Sequence, residues 1–243
     1  MKSRKITNDT ETPSRRHYDD ACAVAHGLDL VGERWALLVM RELMLGPKRF
    51  SDLRADLPGI SANVLTQRLE GLEAAGIVTR RKLPPPAATQ VYQLTPWGYE
   101  CEPVLKAFGR WAARSPAHDP TLPLSPVSLF LSFRTMFDPV RARGLEARIG
   151  FRLGASTYLV RLKGGKFEVG RGNIDQADAV FIGPAPAIAA AVYGGQSLKT
   201  LAAQGQLMVE GDRKLAERFL TLFPLPEKAE SPPTGSRAKR RSD

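Results

Sequence analysis

The chain is poor in the residues that build disulfide frameworks or metal cages. Its 243 residues hold two cysteines, Cys22 and Cys101, and three histidines, His17, His26 and His118, with no ligand spacing among them. Neither a cross-linked secreted scaffold nor a metal centre is expected, and no cofactor is implied. No run of about 18 apolar residues occurs, which argues against a membrane-spanning helix. The N-terminus lacks the apolar segment of a secretory signal, so a cytoplasmic protein with no membrane partner is expected. Catalytic constellations are missing too. Glu100 and Glu102 lie two apart on an expected helix and face different ways, and Lys163-Gly164-Gly165-Lys166 lacks the spacing of a phosphate-binding loop. No catalytic residue and no enzymatic activity is expected. Acidic residues are also in deficit, 25 against 35 lysines and arginines, for a net charge of +10 and a pI near 9.9. That balance favours a polyanionic partner.

What the chain does have is a dense pattern between Gly46 and Trp97. Phe50, Leu53 and Leu57 fall on one face of a short helix that Pro58-Gly59 breaks. Ser61 then offers an N-cap hydroxyl to a second helix ending at Ala75, with Val64, Leu65, Leu69 and Leu72 as its apolar positions and Gly76 as its stop. Its polar face carries Asn63, Thr66, Gln67 and Arg68 near the N-terminal end. Ile77–Arg81 and Gln90–Leu94 read as strands around the Pro84-Pro85-Pro86 tip, which cannot be a central strand. The pattern is that of a winged helix-turn-helix whose Ser61–Ala75 helix enters a major groove. Ser61, Asn63, Gln67 and Arg68 are the candidate base readers, because Asn and Gln pair bidentately with adenine and Arg with guanine; Val64 completes that set. Lys48, Arg49, Arg80, Arg81 and Lys82 are candidate phosphate contacts, which position rather than specify.

Helices are expected over Asp20–Val31 and Arg34–Leu45. A further one opens at Thr95-Pro96 and runs to about Arg114, with Pro103 as a kink. From Gly32-Glu33-Arg34-Trp35, through Gly46-Pro47-Lys48-Arg49-Phe50-Ser51-Asp52-Leu53, Leu65-Thr66-Gln67-Arg68-Leu69 and Leu72-Glu73-Ala74-Ala75-Gly76-Ile77, to Tyr92-Gln93-Leu94-Thr95, the chain resembles the HxlR-type bacterial transcriptional regulators, relatives of the MarR regulators. The resemblance covers about residues 20–114. It implies a homodimer built from the first and last helices of the domain, reading a double-stranded operator. Some members of such a family carry a redox-sensing cysteine in the first helix, which makes Cys22 a candidate sensor, but the flanking Asp19 and Asp20 would raise its thiol pKa, so the residues themselves favour a buried structural cysteine over a sensor.

Beyond Pro116, Pro120, Pro123 and Pro126 the composition changes, so 116–126 is expected as a linker between domains at 19–115 and 127–225, with disordered tails at 1–18 and 226–243. An apolar helix is expected over Val127–Phe137. Leu145–Leu153 alternates as a half-buried strand, and Lys163-Gly164-Gly165-Lys166 marks a hairpin. Ala177-Asp178-Ala179-Val180-Phe181-Ile182-Gly183, Ala191-Val192-Tyr193-Gly194-Gly195 and Gln206-Leu207-Met208-Val209-Glu210-Gly211-Asp212 resemble a sterol-carrier-protein-like domain. The expected fold is therefore α+β, a winged helix followed by a sterol-carrier-like α/β domain with a mostly antiparallel sheet. That resemblance implies an effector-binding or assembly module around an apolar cavity. Phe130, Phe133, Met136, Phe151, Phe181 and Tyr193 are the expected lining and a small apolar molecule the expected effector; simple close packing is the alternative. The functional expectation is a dimeric DNA-binding transcriptional regulator. The alternative is a lipid or apolar-metabolite binder whose N-terminal half serves assembly.

Overall fold

A computed structural model describes residues 17–86 and 88–230. The tails at 1–16 and 231–243 lie outside the described residues. The first half is helical, with α1 (Ala23–Val31), α2 (Ala36–Leu43), α3 (Phe50–Asp56) and α4 (Ala62–Ala74) followed by β1 (Val78–Lys82) and β2 (Gln90–Leu94). The Ser61 hydroxyl accepts from the Val64 amide at 3.2 Å, the N-cap geometry that satisfies a free amide at a helix start. β1 and β2 pair antiparallel with Arg80 opposite Tyr92 and Lys82 opposite Gln90. Lys48 adds its backbone to this sheet in an antiparallel bridge to Tyr92, which ties the entry of α3 to the wing.

The single kinked helix expected after Thr95 is two helices, α5 (Pro96–Tyr99) and α6 (Glu102–Ala113). Pro103 lies in the first turn of α6 rather than inside it. There its missing amide costs nothing, so the chain restarts a helix instead of bending one.

The second half contains α7 (Pro126–Met136), β3 (Ala147–Leu153), β4 (Ser156–Lys163), β5 (Lys166–Arg171), β6 (Ala179–Ile182), α8 (Ala185–Val192), α9 (Leu198–Ala203), β7 (Met208–Gly211) and α10 (Arg213–Leu220). The sheet order is β5-β4-β3-β6-β7, antiparallel throughout except for the β3–β6 pair. The fold is α+β with a mostly antiparallel second sheet. Gly164 and Gly165, at φ +57° and +72°, form the two-residue turn between Lys163 and Lys166, where left-handed backbone favours glycine. Asp178, Gly211 and Asp212 are explained by the backbone. An Asp178 carboxylate oxygen accepts from the Arg148 amide at 2.7 Å, and Asp212 caps α10 by accepting from the Leu215 amide at 3.0 Å. A Cβ on Gly211 would lie 2.5 Å from the Asp178 carbonyl oxygen.

Two hydrophobic clusters organise the described residues. The first is aliphatic and built on Met40, Leu43, Leu53, Leu65, Leu69 and Leu72; the second is aromatic and built on Phe130, Phe133, Phe151, Phe181, Phe219 and Phe223. α7 belongs to both. Val127 and Leu131 enter the aliphatic cluster, whereas Leu129, Phe130, Phe133 and Met136 enter the aromatic one. Residues 226–230, expected in a disordered tail, instead return to the end of α6. The Lys228 ammonium donates to the Ala113 and Ser115 carbonyls at 3.0 and 3.1 Å, and the Ala229 amide donates to the Arg114 carbonyl at 2.7 Å. A cation on the free carbonyls of a helix C-terminus is favoured by both hydrogen bonding and the helix dipole.

Candidate nucleic-acid interface and inter-domain cleft

The spacing of α4 separates its residues into two roles. Leu65, Leu69 and Leu72 are buried, while Asn63 and Gln67, one helical turn apart, are exposed. Ser61 is exposed at the cap and Val64 is half-buried. The polar start of α4 is thus presented to solvent by the same periodicity that anchors its apolar side.

Arg68 lies apart from that surface. Its Nε donates to the Arg34 carbonyl at 3.0 Å, and its guanidinium pairs with Glu33 at 3.0 Å. It braces α4 against the loop before α2, where Trp35 holds a left-handed backbone at φ +80° and Arg34 stacks 5.5 Å from the Trp35 ring centre. Lys48 is inside the domain, 3% exposed. Its ammonium pairs with Glu42 at 2.7 Å and with Asp56. The expectation that Lys48 meets a phosphate is corrected by this burial: a cation held by two carboxylates and shielded from solvent is a structural group. Its sequence setting, beside Arg49 and ahead of a helix, gave no sign of partners on other elements.

Among the flanking cations, Arg80 is exposed but pairs with Glu73 of α4 at 2.7 Å, and the Glu73 hydrogen bond and charge push its guanidinium pKa up. Arg49, Arg81 and Lys82 are exposed and form no side-chain ion pair among the described residues. Arg80 and Lys82 alternate with Arg81 across β1, so the wing cations project to both faces of the strand.

Glu42 is the polar centre of the helical domain. It is fully buried and accepts from Arg41 at 3.0 Å, Lys48 at 2.7 Å and the Ser125 hydroxyl at 2.7 Å. Ser125 also caps α7 by accepting from the Ser128 amide at 3.0 Å. One carboxylate therefore joins α2, the approach to α3 and the start of α7.

The expected ligand cavity is filled. Phe130, Phe133, Phe151 and Phe181 are fully buried, with ring centres 5.1 Å apart for Phe130–Phe151 and 5.2 Å for Phe151–Phe181. The small alanines of α8 allow close packing, and the rings occupy the space. Met136 and Tyr193 instead line a different cavity of about 620 Å³, bounded by α2, α6, α7, α8 and the segment before α7. Listing apolar residues by sequence could not distinguish a ring that fills a core from a side chain that borders a void.

Cys22 is exposed at the cap of α1, and its amide donates to an Asp20 carboxylate oxygen at 2.9 Å. Cys101 is half-buried, and burial pushes its thiol pKa up. No cluster of three or more His, Cys, Asp or Glu capable of holding a metal occurs among the described residues, and no helix there is long and apolar enough to cross a membrane.

The model of the HxlR-like helix-turn-helix family matches residues 30–119, and that of the SCP-2 sterol transfer family matches residues 138–224. The uncharacterised HTH-type transcriptional regulator YvaP of Bacillus subtilis is 36% identical over 85 residues, which are 35% of this chain and 79% of that protein. The HTH-type transcriptional regulator YodB of Bacillus subtilis is 39% identical over 83 residues, 34% of this chain and 74% of that protein. A solved structure of the reduced form of YodB aligns at 34% identity over 40% of this chain and 98% of that one, with a TM-score of 0.37.

Proposed function

The chain belongs to the HxlR-like helix-turn-helix family of transcriptional regulators, and from that premise we propose that it is a cytoplasmic homodimer that reads a two-fold operator in double-stranded DNA through the start of α4. The observation that carries this reading is the exposed Ser61, Asn63 and Gln67 surface, flanked by Arg49, Arg81 and Lys82. Asn63 and Gln67 are suited to base edges, where paired donors and acceptors discriminate adenine. The unpaired cations are suited to the backbone. Arg68 acts from behind, holding α4 to the α1–α2 loop.

The dimer reading rests on α6 and α1. Val104, Phe108 and Trp111 recur at helical spacing and are 59%, 55% and 70% exposed. Val24 and Leu28 on α1 are exposed as well, and with Trp97 they line a cleft of about 670 Å³ that also reaches Val104 and Phe108. So much aromatic surface on one helix calls for a partner. The sterol-transfer-like half serves as an effector or assembly module, and this reading gives it no catalytic step. Cys22 is open to oxidants at the start of the dimerising helix, the position from which a redox input would act.

Selection of bound fragments from a random duplex pool tests the reading. It should enrich a palindrome with half-sites about one helical turn apart. Recovery of no sequence above the input pool would overturn it.

A further inference from the structure

The cleft bounded by α2, α6, α7 and α8 lies outside the aromatic core, on the side of α7 that meets the helical domain. Leu38, Leu122 and Leu225 line it together and are 38%, 63% and 40% exposed, a contiguous apolar wall rather than scattered exposed side chains. Its volume, about 620 Å³, lies within the usual range of small-molecule sites.

The polar groups of the lining narrow the occupant. The Ser132 hydroxyl donates to the Leu129 carbonyl at 2.8 Å, so Tyr193, 2.9 Å away, is the donor within their pair. Their hydrogen-bonding protons are used internally, and burial pushes the phenol pKa up so that it stays neutral. Arg41 is paired with Glu42 at 2.8 Å, and Asp119 is held by Thr121 at 2.6 and 2.8 Å. Of the two lining cations, Arg41 is thus matched by Glu42, whereas Lys106, half-buried, has no hydrogen bond or ion pair among the described residues.

We propose that this inter-domain cleft binds an apolar monocarboxylic acid, with its hydrocarbon body against Leu38, Leu122 and Leu225 and its carboxylate at Lys106. A partly desolvated ammonium beside an apolar wall favours a single anionic group over a neutral one. The site is distinct from the sheet core of the second domain, which is filled by phenylalanines. The proposal does not depend on DNA reading.

Gly109 supplies the test. It lines the cleft on α6, and a Cβ there would meet nothing within 4 Å, so Gly109→Phe fills the void from a tolerant position. Calorimetric titration of the full chain with dodecanoate, below its micellar range, is compared with titration by dodecanol. The wild type should bind the acid at least tenfold more tightly than the alcohol. Gly109→Phe should weaken both at least tenfold, and Lys106→Gln should abolish the preference for the acid while leaving alcohol binding intact. Light scattering on each variant reports its assembly state. Should Gly109→Phe alter that state, Leu122→Trp, which fills the cleft from outside α6, decides instead. Absence of dodecanoate binding, equal affinity for acid and alcohol, or unchanged binding in the filled variants would overturn the proposal. So would a second copy of the chain found covering the cleft. Operator binding in the same samples reports separately on the DNA-reading role.

Discussion

α6 and α7 pack against each other, yet their apolar faces meet opposite fates. α7 buries Val127, Leu129, Phe130, Leu131, Phe133 and Met136, dividing them between two cores. α6 buries Ala113 and leaves Val104, Phe108 and Trp111 in solvent. Both helices look amphipathic or apolar in sequence. α7 sits between two layers of the same chain, whereas the outer face of α6 has no layer over it. Apolar content alone therefore does not identify a core helix; what lies on each side does. α7 is the structural joint of the molecule, and α6 carries its unsatisfied surface.

Breaking the α7 side should have the largest effect. Phe133 is fully buried and stacks on Phe223 at 4.3 Å. Phe133→Ala should cost about 3–5 kcal/mol, the usual range for a large aromatic removed from a packed core, read by denaturant unfolding. A loss below about 1 kcal/mol would mean that the aromatic core is loosely packed.

Next is Lys48, whose role follows from burial. Lys48→Ala leaves the Glu42 carboxylate buried without its ammonium partner, and should destabilise the chain by about 3 kcal/mol. A variant of unaltered stability that bound DNA more weakly would return Lys48 to the phosphate contacts.

On the α6 side the expected pattern reverses. Trp111→Ala should change folding stability by less than about 1 kcal/mol, as for most exposed sites, and weaken dimerisation by about 2 kcal/mol as an interface anchor. Sedimentation across a concentration series separates the two effects. An unperturbed dimer would remove Trp111 from the interface.

The smallest effect concerns the cysteines. Burial holds Cys101 in its neutral form, so its thiolate appears only at more alkaline pH than for a free thiol. Iodoacetamide at pH 8 should therefore label exposed Cys22 before Cys101. Because the folded state retains the Cys101 proton more strongly than the unfolded state, this group's contribution to stability is present below the ordinary thiol pKa and falls away as pH rises through the raised value. Equal labelling rates would place Cys101 in a more open setting.

Features that rest on local periodicity and turn chemistry were legible in the sequence. These include the Ser61 cap, the buried stripe of α4, the Gly164-Gly165 hairpin and the alternation of Ala147, Ile149, Phe151 and Leu153. Features decided by distant contacts were not. Lys48 looked like a surface cation because Glu42 and Asp56 reach it from other elements. Arg68 looked free because Glu33 and the Arg34 carbonyl lie 35 and 34 positions away. The alternating face of β3 was expected to be wet, but Gly150 on that face is buried. A Cβ there would lie 3.0 Å from Ile174 Cβ, which no period-2 rule reveals. The void lay between two domains, where a list drawn from one domain could not place it.

The central claim is that the exposed start of α4 reads bases while the wing cations hold the backbone. Its most direct test is competitive binding of the selected operator and of scrambled duplexes to the wild type and to Asn63→Ala/Gln67→Ala, across a salt series. The account predicts that the double variant loses sequence preference by about 2–4 kcal/mol, two base contacts' worth, and keeps the salt slope, which counts phosphate contacts. Unchanged preference with a shallower slope would contradict it.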